Sequence, residues 1–162
     1  MSFWFAPKVW KNIWVSEAGP AKSAENLKAA NFTHVLNCSQ GKGFGHLDTD
    51  EAFYAPHGLR FLGLAVADSE RSNLKQFFED AADYIHHALQ KEGGKILVHC
   101  MEGFSRSPSI AAAYLIKYHG MSAHSALQQI RSKREVFPNP GFLKQLIAWE
   151  TECNTTAQAK AE

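Results

Sequence analysis

The sequence predicts a single α/β domain with a central, mostly parallel sheet of about four to five strands flanked by helices. Short apolar runs alternate along the chain with longer segments of helical periodicity, which is the pattern of parallel strands joined by crossover helices. The chain has 162 residues, the size of one domain with a sizeable core. Its hydrophobic content of 45% and charged content of 20% fit a soluble globular protein.

The first half of the chain contains three apolar runs and one helical segment. We expect strands at 13–15, 33–38 and 59–64 and a helix at 20–30. Residues 40–45 hold three glycines and are expected to form a mobile loop.

The second half begins with the clearest helical pattern, which starts near Leu74. Ser72 or Asn73 is expected to cap this helix, and Gly93-Gly94 to end it. The later elements are a strand at 95–98 and helices at 108–118, at 122–133 and at 141–152. The helix at 108–118 is apolar nearly all round, which predicts that it is buried. We expect the domain to span 1–154 and the polar residues 155–162 to form a flexible tail.

One segment between the strand at 95–98 and the helix at 108–118 carries most of the chemical information. This segment, the Cys100 loop, reads His99-Cys100-Met101-Glu102-Gly103-Phe104-Ser105-Arg106-Ser107. A strand that turns directly into a helix points backbone N–H groups into one small concavity, and the helix N-terminus makes that concavity favourable for an anion. Gly103 permits the backbone conformation that such a loop needs.

Two side chains of the loop indicate a reaction with a bound oxyanion. Arg106 provides a planar fork that can bind two oxygens of a phosphate or sulfate. Donors that hold an oxyanion also stabilise a thiolate, so the Cys100 sulfur is expected to be a nucleophile beneath a bound phosphorus. Taken alone, Cys100 would more often be a buried inert thiol, and it is the combination with the glycine and the arginine that favours catalysis. His99 is interpreted as a structural hydrogen-bonding residue that helps to set the loop and the thiolate.

The pattern H-C-x-x-G-x-x-R-S resembles that of the cysteine-dependent protein tyrosine phosphatase superfamily, and the following Ser107-Pro108 resembles its dual-specificity branch. Four flanking segments are similar to the small atypical dual-specificity phosphatases of the VHR type: 33–46, Phe53-Tyr54, 81–85 and 138–143. The resemblance extends over most of the chain. It implies a protein tyrosine phosphatase-like fold and metal-independent hydrolysis of phosphotyrosine and phosphoserine/threonine esters through a cysteinyl-phosphate.

A carboxylic acid on a neighbouring loop must protonate the leaving oxygen of a phosphate ester. Asp68 ends the apolar run 62–67, and we expect this run to be a strand lying beside the one that ends at His99. The resemblance also places the family's general acid at Asp68. The alternative for Asp68 is a turn carboxylate, and Glu70 is a second candidate acid at the surface.

Further residues are expected to support the reaction or to bind substrate. The resemblance implies that the Ser107 hydroxyl donates to the sulfur, although Ser107 could instead cap the following helix. The phosphate-binding residues are expected to be Met101, Glu102, Gly103, Phe104, Ser105 and Arg106, with no chemistry assigned to the Ser105 side chain. Phe44 and Phe104 are expected to line the mouth, or else to pack in the core. Arg134 is expected to meet a second phosphate or an acidic substrate segment, or else to form a solvated pair with Lys133 at a helix end. Asn139 is interpreted as structural.

Cys38 and Cys100 each follow a strand, and their sulfurs could approach each other if those strands are neighbours. We hypothesise a reversible Cys38–Cys100 disulfide that protects the nucleophile from over-oxidation. The alternative for Cys38 is a small buried hydrophobe.

Charge and composition restrict the partners. The net charge of +1 gives no global electrostatic reason to expect nucleic acid or membrane binding. Three cysteines without paired spacing favour a reducing compartment, so we expect a cytoplasmic or nuclear protein. The eight histidines show no metal-ligand spacing, and we expect no metal and no cofactor. We find no secretory leader, membrane span or lipidation motif, and we expect a monomer that acts on phosphorylated proteins.

Three other functions would use a similar loop. Relatives of this fold act on RNA triphosphates, phosphoinositides or phosphorylated glucans, but the acidic Glu102 and the low net charge disfavour the first two substrates. A non-catalytic module that captures phosphoproteins would usually lack the cysteine or the acid. Arsenate reductases and rhodanese-like enzymes share the thiolate loop but differ in the flanking segments.

Overall fold

A five-stranded sheet lies at the centre of the structure, a computed structural model that describes residues 7–161. The strands are β1 (Lys8–Trp10), β2 (Ile13–Ser16), β3 (His34–Asn37), β4 (Arg60–Gly63) and β5 (Ile96–His99). Their order across the sheet is β1-β2-β5-β3-β4, and only the edge pair β1–β2 is antiparallel. The prediction of a mostly parallel sheet with flanking helices is therefore confirmed. The apolar residues 1–5, in which the sequence suggests no leader, lie outside the described residues.

Six helices surround the sheet within the described residues. They are α1 (Ala24–Ala29), α2 (Glu51–Tyr54), α3 (Phe78–Gln90), α4 (Arg106–His119), α5 (Ala123–Arg131) and α6 (Pro140–Ala161). Short 3-10 turns occupy Gly19–Lys22, Ala55–His57 and Lys75–Phe77. None of the helices found between residues 7 and 161 has the length and apolar content needed to cross a membrane.

Both faces of the sheet are buried, which is why β5 reads as a continuous apolar run. Side chains alternate along the strand, so Ile96 and Val98 join the larger core with α3, α4, α5 and α6. Leu97 faces the opposite way, into the smaller core formed with α1 and α2. As predicted, α4 is buried around its whole circumference from Arg106 to Ile116.

Strand register brings the site residues to one edge of the sheet. Ser16 of β2 and Asn37 of β3 both pair with His99, the last residue of β5. Because these strands are parallel, the chain leaves all three at the same carboxyl edge, where ligands bind in sheets of this kind. Cys100 and Cys38 are the first residues beyond that edge.

Several element bounds differ from the sequence-based expectations. The helix expected at 20–30 is broken at Ser23, whose hydroxyl accepts the N–H of Asn26 and so starts α1 afresh. Helix α6 continues to Ala161, through the residues expected to form a tail. Two short elements, β1 and α2, were not predicted, because three or four residues carry too little periodicity to be recognised.

Candidate active site

The Cys100 sulfur is buried at the base of the loop, with 2% of the residue exposed. The backbone N–H of Gly103 donates to the sulfur at 3.2 Å. The Ser107 hydroxyl lies on the other side, also 3.2 Å from the sulfur. The backbone N–H and the hydroxyl are thus both within hydrogen-bonding distance of one sulfur, an arrangement that can hold a cysteine nucleophile in place.

Ser107 reaches the sulfur because α4 begins earlier than expected. The sequence predicted a helix from Pro108, with Ser107 as a possible cap, whereas the helix starts at Arg106 and Ser105 occupies the cap position. Ser107 therefore lies in the first turn, where its side chain points back toward the preceding loop. The capping interpretation of Ser107 is wrong.

Gly103 has a conformation that only glycine adopts easily, with φ at +76°. A Cβ atom on it would lie 2.8 Å from both Arg134 Nη1 and the carbonyl carbon of Ser16. The backbone of the Cys100 loop at Gly103 therefore packs directly against the Arg134 guanidinium and Ser16, the last residue of β2.

Arg106 is 4% exposed and connects three loops. Its Nη1 donates to the carbonyl of Val66 at 2.9 Å, and its Nη2 donates to the carbonyl of Gly45 at 2.8 Å. Its Nε is buried and has no hydrogen-bond partner. A guanidinium has five N–H donors, so a buried cation with unused donors beside the thiol is suited to hold an anion.

Asp68 lies at the same cavity as Cys100, although by a different route from the one expected. The sequence-based expectation placed the Asp68 strand beside β5. This is wrong, because β3 lies between β4 and β5 and β4 already ends at Gly63. An irregular segment, the Asp68 loop (residues 64–74), carries Asp68 back across the sheet edge. Glu70, the other candidate acid, does not line the cavity.

Asn139 connects Asp68 to the Cys100 loop. Its side-chain nitrogen donates to Asp68 Oδ1 at 2.9 Å, and its backbone N–H donates to the Ser105 hydroxyl at 3.0 Å. Its side-chain oxygen accepts the N–H of Phe142 at 2.9 Å and so caps α6.

His99 is fully buried, and its Nδ1 lies 3.3 Å from the carbonyl oxygen of Cys100. Burial lowers the pKa of His99 from 6.5 to about 4, and the charge of Arg106 also acts in this direction. His99 is therefore neutral at neutral pH. Its Nε2 is buried without a hydrogen-bond partner.

Aromatic side chains surround the entrance of the cavity. Phe44 is fully exposed at the tip of the glycine-rich loop, and Phe104 is 38% exposed on the Cys100 loop. Neither is packed in the core, which was the alternative for both. Phe137 is also exposed, and its ring centroid lies 6.3 Å from that of Phe104.

A buried asparagine holds both ends of the glycine-rich loop. The Asn37 side-chain nitrogen lies 2.9–3.1 Å from three acceptors that share its two N–H groups: Gln40 Oε1, the Leu47 carbonyl and Thr49 Oγ1. Its oxygen accepts the backbone N–H of Ser39 at 2.8 Å. By holding the two ends of this loop, Asn37 at the end of β3 helps to place Phe44 and Gly45 at the cavity.

Arg134 does not lie where the sequence predicted. It is absent from the cavity wall, and its Nη1 donates to the carbonyl of Val15 at 2.9 Å on the far side of Gly103. Its guanidinium carbon lies 5.9 Å from the Phe104 ring centroid. Burial lowers the pKa of Arg134, and the Cys100 sulfur opposes this shift. These contacts give Arg134 a role in holding the Cys100 loop.

The cavity above Cys100 has a volume of about 280 Å³. Its walls are Phe44, Gly45, His46, Ala67, Asp68, Cys100, Met101, Glu102, Phe104, Ser105 and Arg106. Sequence reasoning missed Gly45, His46 and the Val66 carbonyl. Gly45 and His46 could have been predicted from their position directly after Phe44. The Val66 carbonyl could not, because a backbone carbonyl occurs in every residue and has no signature in the sequence. A larger cavity of about 470 Å³ between α3, α4 and α6 shares no lining residue with this one.

Cys38 and Cys100 follow adjacent parallel strands, as the disulfide hypothesis requires. The Cys38 N–H donates to the His99 carbonyl at 2.7 Å. Burial and the neighbouring Cys100 sulfur both raise the pKa of the Cys38 thiol. Both cysteines are free thiols in the structure.

A mostly parallel sheet whose central strand is followed directly by a buried cysteine, with an arginine at the start of the next helix, is the architecture of the protein tyrosine phosphatase-like class. The family model for the dual specificity phosphatase catalytic domain matches residues 13–152. The chain belongs to this family.

Relatives and solved structures agree with that assignment. The human dual specificity protein phosphatase 26 is 40% identical over 143 residues, which are 88% of this chain and 66% of the relative. The chain thus spans slightly less than two thirds of that relative's length. A mouse putative dual specificity phosphatase, solved in complex with zinc tungstate, has a TM-score of 0.79 at 28% identity, covering 93% of this chain and 89% of that one. Human DUSP28 has a TM-score of 0.76 at 28% identity, covering 91% and 94%.

Proposed function

We propose that this protein hydrolyses phosphotyrosine and phosphoserine/threonine esters of proteins through a cysteinyl-phosphate intermediate. The observation that carries the proposal is the buried Cys100 sulfur with two donors at 3.2 Å, next to an arginine whose Nε has no partner. A phosphate in the cavity would satisfy this nitrogen and place its phosphorus above the sulfur. Tungstate, which binds the mouse relative, has the same tetrahedral arrangement of oxygens as phosphate.

The reaction has two steps, and each bond change has an assigned group. The Cys100 thiolate attacks phosphorus while Arg106 and the loop amides bind the non-bridging oxygens, and Asp68 gives its proton to the departing oxygen. The Asp68 carboxylate then takes a proton from water as the water oxygen attacks the phosphocysteine. The sulfur leaves as a thiolate, stabilised by the Ser107 hydroxyl, and inorganic phosphate is released.

The walls of the cavity favour a phosphorylated protein over a polyanion as substrate. Arg106 is the single lysine or arginine among the wall residues, whereas Asp68 and Glu102 are carboxylates. A phosphoinositide or an RNA triphosphate would bring further negative charge toward these carboxylates. The exposed rings of Phe44 and Phe104 can pack against an aromatic leaving group.

The mechanism assigns no step to a metal or other cofactor. Among residues 7–161, no three His, Cys, Asp or Glu side chains lie close enough together to hold a metal ion. The nucleophile must remain reduced, so we also infer that the protein works in a reducing compartment such as the cytoplasm or nucleus.

The experiment is phosphate release from an aryl phosphate and from phosphotyrosine and phosphothreonine peptides, with EDTA present. We expect activity for the parent and a loss on the order of 10³-fold or more for Cys100→Ser, since the nucleophile is removed. The matched control is Cys153→Ser, the same change at a partly exposed cysteine outside the cavity, which should keep the parent rate. Retained activity in Cys100→Ser would contradict the mechanism. Loss of the parent's activity on adding EDTA would contradict it as well.

A further inference from the structure

We propose that Asn139 is a positioning residue for the acid Asp68, a role that rests on the proposed function. The central observation is the 2.9 Å hydrogen bond from the Asn139 amide nitrogen to Asp68 Oδ1. Asn139 is separated from Asp68 by 71 residues in sequence, so the bond is made by the fold and not by a local turn.

The orientation of the Asn139 amide is determined by its other contact. The amide oxygen accepts the N–H of Phe142, the third residue of α6, at 2.9 Å. An amide has one acceptor end and one donor end, so once the oxygen faces Phe142 the nitrogen is directed at the carboxylate. An aspartate here could cap the helix but not donate, and a serine could cap it but is too short to reach Asp68.

The backbone of Asn139 is held as tightly as its side chain. Pro138 and Pro140 flank it and restrict the chain on both sides. Its N–H donates to the Ser105 hydroxyl at 3.0 Å, and Ser105 is a buried residue of the Cys100 loop. Asn139 therefore connects the Asp68 carboxylate to the Cys100 loop through two hydrogen bonds, one from its side chain and one from its backbone.

The first turns of α6 also hold the backbone of the Asp68 loop. A Cβ on Gly141 would overlap the carbonyl oxygen of Glu70, so the loop packs directly on the helix. The Gln145 side chain donates to the Ser72 carbonyl and accepts the Lys75 N–H, both at 2.9 Å. These contacts hold the loop as a whole, whereas Asn139 contacts the reacting carboxylate itself.

A loss of acid positioning has a specific kinetic signature. A good leaving group departs without a proton, whereas a poor one depends on Asp68, so misplacing the acid slows formation of the phosphocysteine only for the poor one. We expect Asn139→Ser, which keeps a capping oxygen, to lower kcat/KM about tenfold for phenyl phosphate and less than about twofold for p-nitrophenyl phosphate. The ratio kcat/KM is the measured quantity because it reports formation of the phosphocysteine, whereas kcat also includes its hydrolysis, in which Asp68 acts as a base for both substrates. In an Asp68→Asn background the same change should have less than about a twofold effect on either substrate, because the acid is already absent.

The matched control for a purely structural effect is Ser122→Ala. Ser122 caps α5 by accepting the Ser125 N–H at 3.0 Å and does not line the cavity, so its loss should leave both rates unchanged. Equal slowing of both substrates by Asn139→Ser, no slowing, or an undiminished effect in the Asp68→Asn background would each overturn the proposal. If Asn139→Ser does not fold, Asn139→Thr keeps a capping oxygen, is too short to donate to Asp68, and is expected to give the same leaving-group signature.

The outcome is distinguishable from a failure of the proposed function. Should Asp68→Asn itself slow both substrates equally, the acid has been misassigned, and both the mechanism and this inference fail. Should Asp68→Asn show the signature and both Asn139 variants lack it, only this inference fails.

Discussion

The Ser107 hydroxyl lies 3.2 Å from the Cys100 sulfur, across the boundary between loop and helix. In the proposed mechanism, the sulfur is both the attacking group of the first chemical step and the leaving group of the second. A hydroxyl donor at this distance stabilises the developing thiolate in the second step, so its removal should affect the two steps unequally.

The first prediction concerns this hydroxyl. Ser107→Ala is expected to slow hydrolysis of the phosphocysteine by about 10-fold to 100-fold, with a smaller effect on its formation. Rapid-quench kinetics should then reveal a burst of aryl alcohol followed by a slow steady state. The control is Ser109→Ala, a buried serine of α4 whose hydroxyl donates to the Ser105 carbonyl and not to the sulfur. A uniform decrease without a burst would contradict the assignment.

The second prediction concerns the space at Gly103. Gly103→Ala places a methyl group against Arg134 and Ser16 at a positive φ, and we expect a loss of about 2–4 kcal/mol in the free energy of unfolding together with loss of activity. Gly120→Ala is the matched control. Gly120 also has a positive φ, +64°, but a Cβ there meets nothing within 4 Å, so the loss should be only about 1–2 kcal/mol. Urea denaturation measures both, and equal losses would argue against close packing at Gly103.

The third prediction concerns pH and follows from the burial of neutral His99. Its pKa is about 4 in the folded protein and 6.5 when unperturbed, so between these values the unfolded chain binds the additional proton. The free energy of unfolding should therefore fall as the pH is lowered through this window, by at most roughly 1.4 kcal/mol per pH unit for this group.

Urea denaturation at several pH values between 7 and 4 tests this contribution. His99→Asn should show a weaker pH dependence than the parent because asparagine does not titrate. His124→Asn, the same change at an exposed histidine of α5, should keep the parent's dependence. An unchanged slope in His99→Asn would show that His99 is not the source.

The fourth prediction concerns oxidation. Peroxide is expected to convert the Cys100 thiolate to a sulfenic acid, which the Cys38 sulfur then attacks, forming a disulfide and releasing water. The raised pKa of Cys38 makes this second reaction slow, since little thiolate is present. Peptide mapping should find a Cys38–Cys100 crosslink in the parent and in Cys153→Ser but not in Cys38→Ser. A peroxide-treated parent without this crosslink would exclude the disulfide.

Local patterns in the sequence were sufficient for much of the fold. Short apolar runs predicted β3, β4 and β5, of which β5 is the continuous run expected of a strand buried on both faces, and the all-round apolar character of α4 predicted its burial. The Cys100 loop could be interpreted because all of its chemical groups lie within nine consecutive residues. Elements such as β1 and α2 were missed because three or four residues are too few to establish a periodic pattern.

Distances between segments could not be derived in the same way. The route of Asp68 to the cavity was misjudged because strand order decides which loops meet, and β3 lies between β4 and β5. Arg134 was expected at the substrate because nothing in its local sequence reveals the carbonyl of Val15, 119 residues away, to which it donates. The contact of Asn139 with Asp68 was invisible for the same reason.

By itself, the sequence determined the class of fold, and it led to the proposal of Cys100 as nucleophile and Arg106 as anion-binding residue, because each depends on residues that are adjacent in the chain. Only the tertiary structure decided how Asp68 reaches the cavity of Cys100 and which side chains hold it there. The physical reason is that the register of β2, β5 and β3 and the packing of α6 bring distant segments within hydrogen-bonding distance, and short-range periodicity carries no information about such contacts.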